Sequence, residues 1–280
     1  MLNFLKKLFL VFVIVTLLGT SFVWSLFKKS TKLTVTGSTT VLPIAQAAAE
    51  YYMKNIDKKA EITVSGGGSS VGIAAILDGR AGIGDASRIA KDKEISEGKM
   101  KGIDLYRNVI ALDSVVVVVN PDIQLKEITR EKLADIYSGV INNWSELGGP
   151  NAEIVVVSRD TSSGTYECFY EYGIEKAKIR ADAQMVASNQ AMATTVAQTP
   201  YSIGYIGLGF LKSANVKPLI VDGKEANEKT TKDGSYPISR TLNMYTNGKP
   251  KGDVAKFINF ILSPEGQKIV EEQGYIKLQF

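Results

Sequence analysis

The sequence predicts an α/β protein of two lobes, with mostly parallel sheets and strands that cross from one lobe to the other. Three observations predict it. Segments rich in β-branched residues alternate with helical ones along the chain, the pattern of parallel sheets covered by helices. The 280 residues are 45% hydrophobic and 22% charged, an ordinary globular composition long enough for one large unit or two smaller ones. The eight prolines are scattered and no Pro/Gly linker divides the chain, so two interwoven lobes fit better than two beads on a string.

Lys32–Thr36 alternates and is rich in β-branched residues, which predicts the first strand. Thr39–Lys54 follows as a helix, with Pro43 in its first turns and Ala45, Ala47, Ala48 and Ala49 in its middle. Glu61–Ser65 reads as a strand, Ser70–Leu77 as a helix and Arg80–Asp85 as a short strand. Val109–Asn120 is very β-rich, and its unbroken Val115–Val119 run is typical of a fully buried strand. Thr129–Tyr137 predicts a helix, Ile154–Ser158 a strand, Ser163–Tyr172 and Gln190–Gln198 helices, and Ser202–Ile206 a strand. The polar stretch Lys224–Lys232 reads as a surface hairpin. Arg240–Thr246 is the last strand, and Gly252–Leu262 and Pro264–Gln273 close the chain as helices.

What the chain lacks narrows its chemistry. It has no histidine, which removes the commonest general base, the commonest zinc ligand and any Ser-His-Asp or Cys-His arrangement. Cys168 is the single cysteine, so no internal disulfide forms. Beside Phe169 and Tyr170 it reads as a packed thiol. The formal net charge is +4, but residues 1–29 hold Lys6, Lys7, Lys28 and Lys29 and no acid, leaving 29 basic against 29 acidic groups in the rest. A neutral domain without an Arg/Lys stripe is a poor candidate for nucleic acid. The sequence shows no metal-ligand cluster and no Gly-Lys-Ser/Thr nucleotide loop, so neither metal nor cofactor is expected.

Lys6 and Lys7 precede a long uncharged, mostly apolar run, Leu8–Phe27. Twenty helical residues rise about 30 Å, the thickness of a bilayer core. Residues 1–30 therefore read as a signal peptide cut near Gly19-Thr20-Ser21, or as an anchor that is kept. The anchor is favoured because Phe22, Val23, Trp24, Leu26 and Phe27 prolong the apolar run. Either reading places the remainder in the extracytoplasmic space or on the outer face of the cytoplasmic membrane.

Three loops share one chemistry. Thr36-Gly37-Ser38-Thr39-Thr40, Ser65–Gly72 and Ser158–Thr165 each lie between a predicted strand and a predicted helix, and each is rich in Gly, Ser and Thr. The first turn of a helix has N–H groups without partners and carries the positive end of the helix dipole. An anion is favoured there. Glycine permits close approach, and hydroxyls add donors that rotate to suit a ligand. Any one loop is explained more readily as a capped turn; three together point to one anion site. Arg159 adds a fork suited to an oxyanion, or else pairs with the adjacent Asp160. Gly84-Asp85-Ala86-Ser87-Arg88 adds a carboxylate. Asp85 either caps a helix, pairs with Arg88, or accepts a hydrogen bond from an anion that still carries a proton, as hydrogen phosphate does and sulfate does not.

Together these residues resemble the phosphate-binding component of ABC-type phosphate importers, over nearly the whole chain after residue 32. The resemblance rests on the Gly37-Ser38-Thr39 loop, on Val64–Ser70, and on Arg159 followed by Ser163-Gly164-Thr165. Asn142-Asn143-Trp144, Ile203-Gly204-Tyr205 and Phe260–Gln267 also match. It implies a periplasmic-binding-protein-like fold whose two lobes close over phosphate, the boundary falling near Asp113 and again near Arg240. Residues 31–112 with 240–280 would form one lobe and 113–239 the other. It implies donation from Ser38, Thr39, Thr40 and Ser69 on the first lobe, and from Arg159, Ser163, Gly164 and Thr165 on the second. The family's proton-accepting Asp falls on Ser87, two residues beyond Asp85, with Arg88 a candidate to orient it. The partners implied are inorganic phosphate, the permease and ATPase subunits of an importer, and the membrane through the N-terminal segment. The competing expectations are a receptor for sulfate, molybdate or tungstate, and a phosphatase-like hydrolase, for which Gly68-Ser69-Ser70-Val71-Gly72 formally matches a nucleophile elbow. Trp144 is expected to report closure if it lies near the cleft.

Overall fold

The computed structural model describes residues 32–278. The apolar run read as signal peptide or anchor lies outside the described residues. Among them, no helix is long and apolar enough to cross a membrane. The chain begins with β1 (Lys32–Gly37), α1 (Leu42–Asn55), β2 (Glu61–Gly66), α2 (Ser69–Leu77), β3 (Ile83–Ala86) and α3 (Asp92–Met100). The long β4 (Leu105–Val119) follows, then β5 (Glu127–Ile128), α4 (Arg130–Ser138), β6 (Val155–Arg159) and α5 (Gly164–Cys168). Next come β7 (Gln184–Val186), α6 (Asn189–Gln198), β8 (Ser202–Gly207), β9 (Lys217–Pro218), β10 (Ile220–Val221) and α7 (Glu228–Lys232). The chain closes with β11 (Ser239–Asn247), α8 (Gly252–Leu262) and α9 (Pro264–Glu272).

The main sheet runs β2-β1-β3-β11-β4-β8-β6-β7, with β9 beside β4. Its two wings are parallel: β1 with β2 and β3, and β6 with β7 and β8. Its centre is antiparallel, because β4 and β11 run against each other and against their outer neighbours. β4 is long enough to serve both wings. Nine of its first ten residues pair with β11, Ile110 falling at a register shift, and Val115–Val119 pair with β8.

Two hydrophobic cores lie on either side of this crossing. One packs Leu33, Val35, Ile83 and Ala111 against Ile44, Phe257 and Ile261 of the helices. The other packs Val115–Val119 against Leu133, Trp144, Phe169, Met192 and Tyr205. Membership changes between Ala111 and Val115 on β4, and between Ile238, just before β11, and Leu242 within it. Asp113 and Arg240 stand opposite each other in the register at that change.

Most elements fall within a few residues of their predicted positions, and the exceptions have local causes. The helix predicted from Thr39 starts at Leu42, because the Ser38 hydroxyl holds Thr39–Val41 in a turn by accepting from the N–H of Thr40 (3.1 Å) and Val41 (3.4 Å). The helix predicted over Ser163–Tyr172 is α5 followed by a π-helical turn, Phe169–Gly173. Lys224–Lys232 is not a hairpin. Asn227 accepts from the Thr230 N–H (3.0 Å) while Thr230 Oγ1 accepts from the Asn227 N–H (3.2 Å), a reciprocal cap that opens α7.

Candidate functional site

The three loops meet at the crossing. In the first, Gly37 has φ +139°, and a Cβ there would overlap the Asp85 carbonyl oxygen and reach 2.8 Å from the Gly72 Cα. Glycine is what lets β1, β3 and α2 come this close. The next residue, Ser38, donates its N–H to that same carbonyl at 2.8 Å. In the second loop Gly68, with φ +102°, lies against Ser162 of the third loop, and the Ser70 N–H donates to the Ser162 carbonyl at 3.1 Å. In the third, Ser163 caps α5 by accepting from the Tyr166 N–H at 3.2 Å.

The sequence-predicted residues come together. Thr40 Oγ1 and Thr165 Oγ1 are 2.9 Å apart. Ser69 Oγ accepts from the Ser87 N–H at 3.0 Å and lies 3.3 Å from Ser87 Oγ. A Cβ on Gly164 would overlap Ser69 Oγ and come within 2.7 Å of Ser87 Oγ. Arg159 Nη2 reaches Thr39 Oγ1 at 3.4 Å. Asp85 joins the cluster through its backbone contact with Ser38. Ser38, Thr40, Ser69, Asp85, Ser87, Arg159, Ser163 and Thr165 are all buried.

Two charged groups stand out. Arg159 donates through Nε to the Val186 carbonyl (3.0 Å) and through Nη2 to that of Ala187 (3.0 Å), and its Nη1 is buried without a protein partner. Burial pulls its pKa down from the usual value, yet a guanidinium stays charged in proteins. Both carboxylate oxygens of Asp85 are likewise buried without a protein partner. Burial pushes its carboxyl well above the usual carboxylate range. The hydroxyls are pre-aimed: one whose oxygen already receives N–H donors, as in Ser38, Ser69 and Ser163, has its own proton left to give away. The cluster thus offers donors on several sides, one cation without a carboxylate partner and one unpaired carboxyl, which suits a small oxyanion that carries a proton.

Several expectations are corrected. Arg88 orients neither Asp85 nor Ser87. It forms a forked pair with Glu94 of α3 (2.7 and 2.8 Å) and donates to Ser70 Oγ at 3.0 Å. Asp160 does not pair with Arg159; its Oδ1 accepts from the N–H and hydroxyl of Ser162 and so shapes the third loop. Trp144 is fully buried among the β4–β8 core residues and donates Nε1–H to the Tyr201 carbonyl at 2.8 Å, away from the site.

Sequence reasoning missed Asn189, and it read Asp113 and Arg240 only as boundary marks. Arg240 pairs with the fully buried Asp113 at 2.7 Å and reaches Thr40 Oγ1 and the Ser87 carbonyl, each at 3.3 Å. Asn189 opens α6 and touches both Thr39 and Thr40. The signal available was a fourth strand-to-helix junction, Ser188-Asn189, of the same kind as the other three.

The PBP superfamily domain matches residues 28–265. The phosphate-binding protein PstS of Bacillus subtilis is 34% identical over 89% of this chain and 81% of its own length. PstS of Borreliella burgdorferi is 34% identical over 96% and 99%. Among solved structures, a phosphate ABC transporter substrate-binding protein from Clostridium perfringens with bound phosphate superposes with a TM-score of 0.81 at 34% identity, covering 89% of this chain and all of that one. An ABC-type phosphate transport receptor from Vibrio cholerae gives 0.72 at 29% identity, over 88% of this chain and all of its own. The chain belongs to the PBP superfamily and, within it, to the PstS family.

Proposed function

We propose that this protein is an extracytoplasmic receptor that binds inorganic phosphate between two lobes and delivers it to the permease and ATPase subunits of an ABC importer. No bond is made or broken. The observation that carries the proposal is the pairing of a buried, unpartnered Arg159 Nη1 with a buried, unpartnered Asp85 carboxyl in a cluster of Ser and Thr hydroxyls. A guanidinium demands an anion. With Asp85 ionised, its carboxylate tolerates that anion only if one of the anion's oxygens carries a proton to share. Hydrogen phosphate meets both conditions; sulfate, molybdate and tungstate, unprotonated near neutral pH, meet only the first.

Ser38, Thr39 and Ser69 donate from the lobe formed by residues 31–112 with 240–280, Thr40 acts on the ligand through Thr165, and Arg159, Ser163, Gly164 and Thr165 donate from the lobe of residues 113–239. Asp85 takes the ligand's proton, with Ser87 beside it. The change of core membership at Asp113 and Arg240 supports this division, and the names of the PstS relatives support the ligand. The N-terminal run holds the protein at the outer face of the membrane or directs its export. Calorimetric titration of the purified protein tests the reading. Phosphate is expected to bind with micromolar affinity or better, about −8 kcal/mol, and sulfate far more weakly. Equal competition by sulfate or molybdate overturns the assignment, and steady release of phosphate from an ester favours a hydrolase instead.

A further inference from the structure

We infer that Asn189 is a positioning residue that fixes the direction of the hydroxyl hydrogen bonds in the site, so that Thr39 and Thr165 can only donate to the ligand. The inference rests on the phosphate reading above and specifies which face of the anion the second lobe accepts.

The orientation of the Asn189 amide is determined by a neighbour that can only donate. The Gly207 N–H, at the end of β8, points at Asn189 Oδ1 at 3.1 Å. The amide oxygen is thereby assigned, and Nδ2 faces the first loop. Its two protons go to Thr40 Oγ1 at 2.9 Å and Thr39 Oγ1 at 3.3 Å. Each of these oxygens receives a second donor that cannot accept. Arg240 Nη2 lies 3.3 Å from Thr40 Oγ1, and Arg159 Nη2 lies 3.4 Å from Thr39 Oγ1.

A hydroxyl oxygen has two lone pairs and one proton. With both lone pairs of Thr40 filled, its proton goes to Thr165 Oγ1, 2.9 Å away. Thr165 then cannot donate back. Its own proton has no protein acceptor among the described residues, and it turns to the ligand. Thr39, filled in the same way, also has only its proton to offer. The chain Gly207, Asn189, Thr40, Thr165 therefore runs in one direction. Asn189 is fully buried, so water does not scramble the order. The consequence is a rule about the ligand: the oxygens facing Thr39 and Thr165 must be unprotonated and unesterified. The one hydroxyl of hydrogen phosphate faces Asp85 instead.

A double-mutant cycle read by calorimetric titration with inorganic phosphate tests this. In the native background Thr165→Val lowers affinity about tenfold or more, the loss of a hydrogen bond to a charged group. In Asn189→Leu, Thr40 has a free lone pair and the Thr40–Thr165 bond reverses in part. There, adding Thr165→Val costs less than about threefold. If Asn189 were only structural, its loss would lower the unfolding midpoint while the Thr165→Val cost stayed the same in both backgrounds, and that additive result overturns the inference. Should Asn189→Leu fail to fold by circular dichroism, Asn189→Asp keeps an oxygen for Gly207 and serves in the same cycle. A native protein that gives no heat with phosphate overturns the phosphate reading and this inference with it. Phosphate binding with additive costs overturns the inference alone.

Discussion

At the residue scale, Arg159 and Asp85 divide the work of recognition between them. Arg159→Ala removes charge and fork together, and phosphate affinity should fall about a hundredfold or more. Arg159→Lys keeps the charge but loses the planar fork and should recover only part of that loss. Titration of both variants checks the order; a Lys variant as tight as the native protein would make Arg159 a mere point charge. Asp85 carries a cost of its own. Its carboxyl is raised by burial, so the folded state holds a proton that the unfolded chain has lost. The stability linked to Asp85 is therefore fully present below the unfolded carboxyl pKa, about 3.9, and is lost as pH rises toward the folded value. Asp85→Asn should leave the ligand-free unfolding midpoint unchanged near pH 3.5 and raise it at pH 8, with about 1–3 kcal/mol gained there, while phosphate binding weakens. A midpoint unchanged at pH 8 would count against the buried, unpaired carboxyl. Ser, Thr, Gly and Arg at strand-to-helix turns, with Asp85 at a strand end, marked the ten proposed site residues in the sequence. Asn189 and Arg240 were not marked, since they act on Thr40 across 149 and 200 residues of sequence, and the Ser188-Asn189 junction marks a helix start without showing what it meets.

At the scale of elements, the start of α5 packs directly on Ser69 of α2, so their approach would control closure of the proposed lobes. Gly164 opens α5 directly against Ser69 and Ser87, and its φ lies outside the left-handed region. Gly164→Ala therefore adds no backbone strain and acts through contact alone. The added methyl overlaps Ser69 Oγ and keeps the third loop from seating on the first two. Phosphate affinity should drop roughly a hundredfold, with the unfolding midpoint of the ligand-free protein shifted by less than about 1 kcal/mol equivalent. Titration paired with thermal unfolding separates the two effects; an equal loss in both would mean that α5 seats against α2 in the ligand-free protein too. The strands and apolar helices were readable because burial leaves a periodic trace, as in Val115–Val119. Helix α3 was not, because its sequence, Asp92-Lys93-Glu94-Ile95-Ser96-Glu97-Gly98-Lys99-Met100, presents almost no apolar stripe. What holds it is the reach of Glu94 back to the Lys91 N–H (2.7 Å) and its fork with Arg88. Burial would raise the Glu94 pKa, but these bonds outweigh it and the net value is lowered.

At the scale of the whole molecule, β4 and β11 run from one core to the other, so a closure of the two proposed lobes would be a hinge about these strands. Where the hinge turns was not legible from composition, because the Asp113–Arg240 pair exists only through the β4–β11 register. Away from the site Glu167 pairs with Lys91 and, at 3.6 Å, with Arg88 Nε, a contact between the two proposed lobes that would act as a latch. Ile89 is 61% exposed and lines the same cleft as Glu167 and Tyr172. A dye on Ile89→Cys therefore sits where closure changes its surroundings. Labelling is selective, because the one native thiol, Cys168, is buried and its pKa is pushed up to about 12 by that burial, which leaves almost no reactive thiolate at neutral pH. Phosphate should shift the emission of the dye, while Trp144, sealed in a core that closure does not disturb, stays constant. Glu167→Gln weakens the latch without touching the ligand, so the labelled protein should reopen faster and bind phosphate a few-fold less tightly. A dye that ignores phosphate while calorimetry registers binding would mean that the lobes are closed before the ligand arrives, and that the latch, not the anion, sets the closed state.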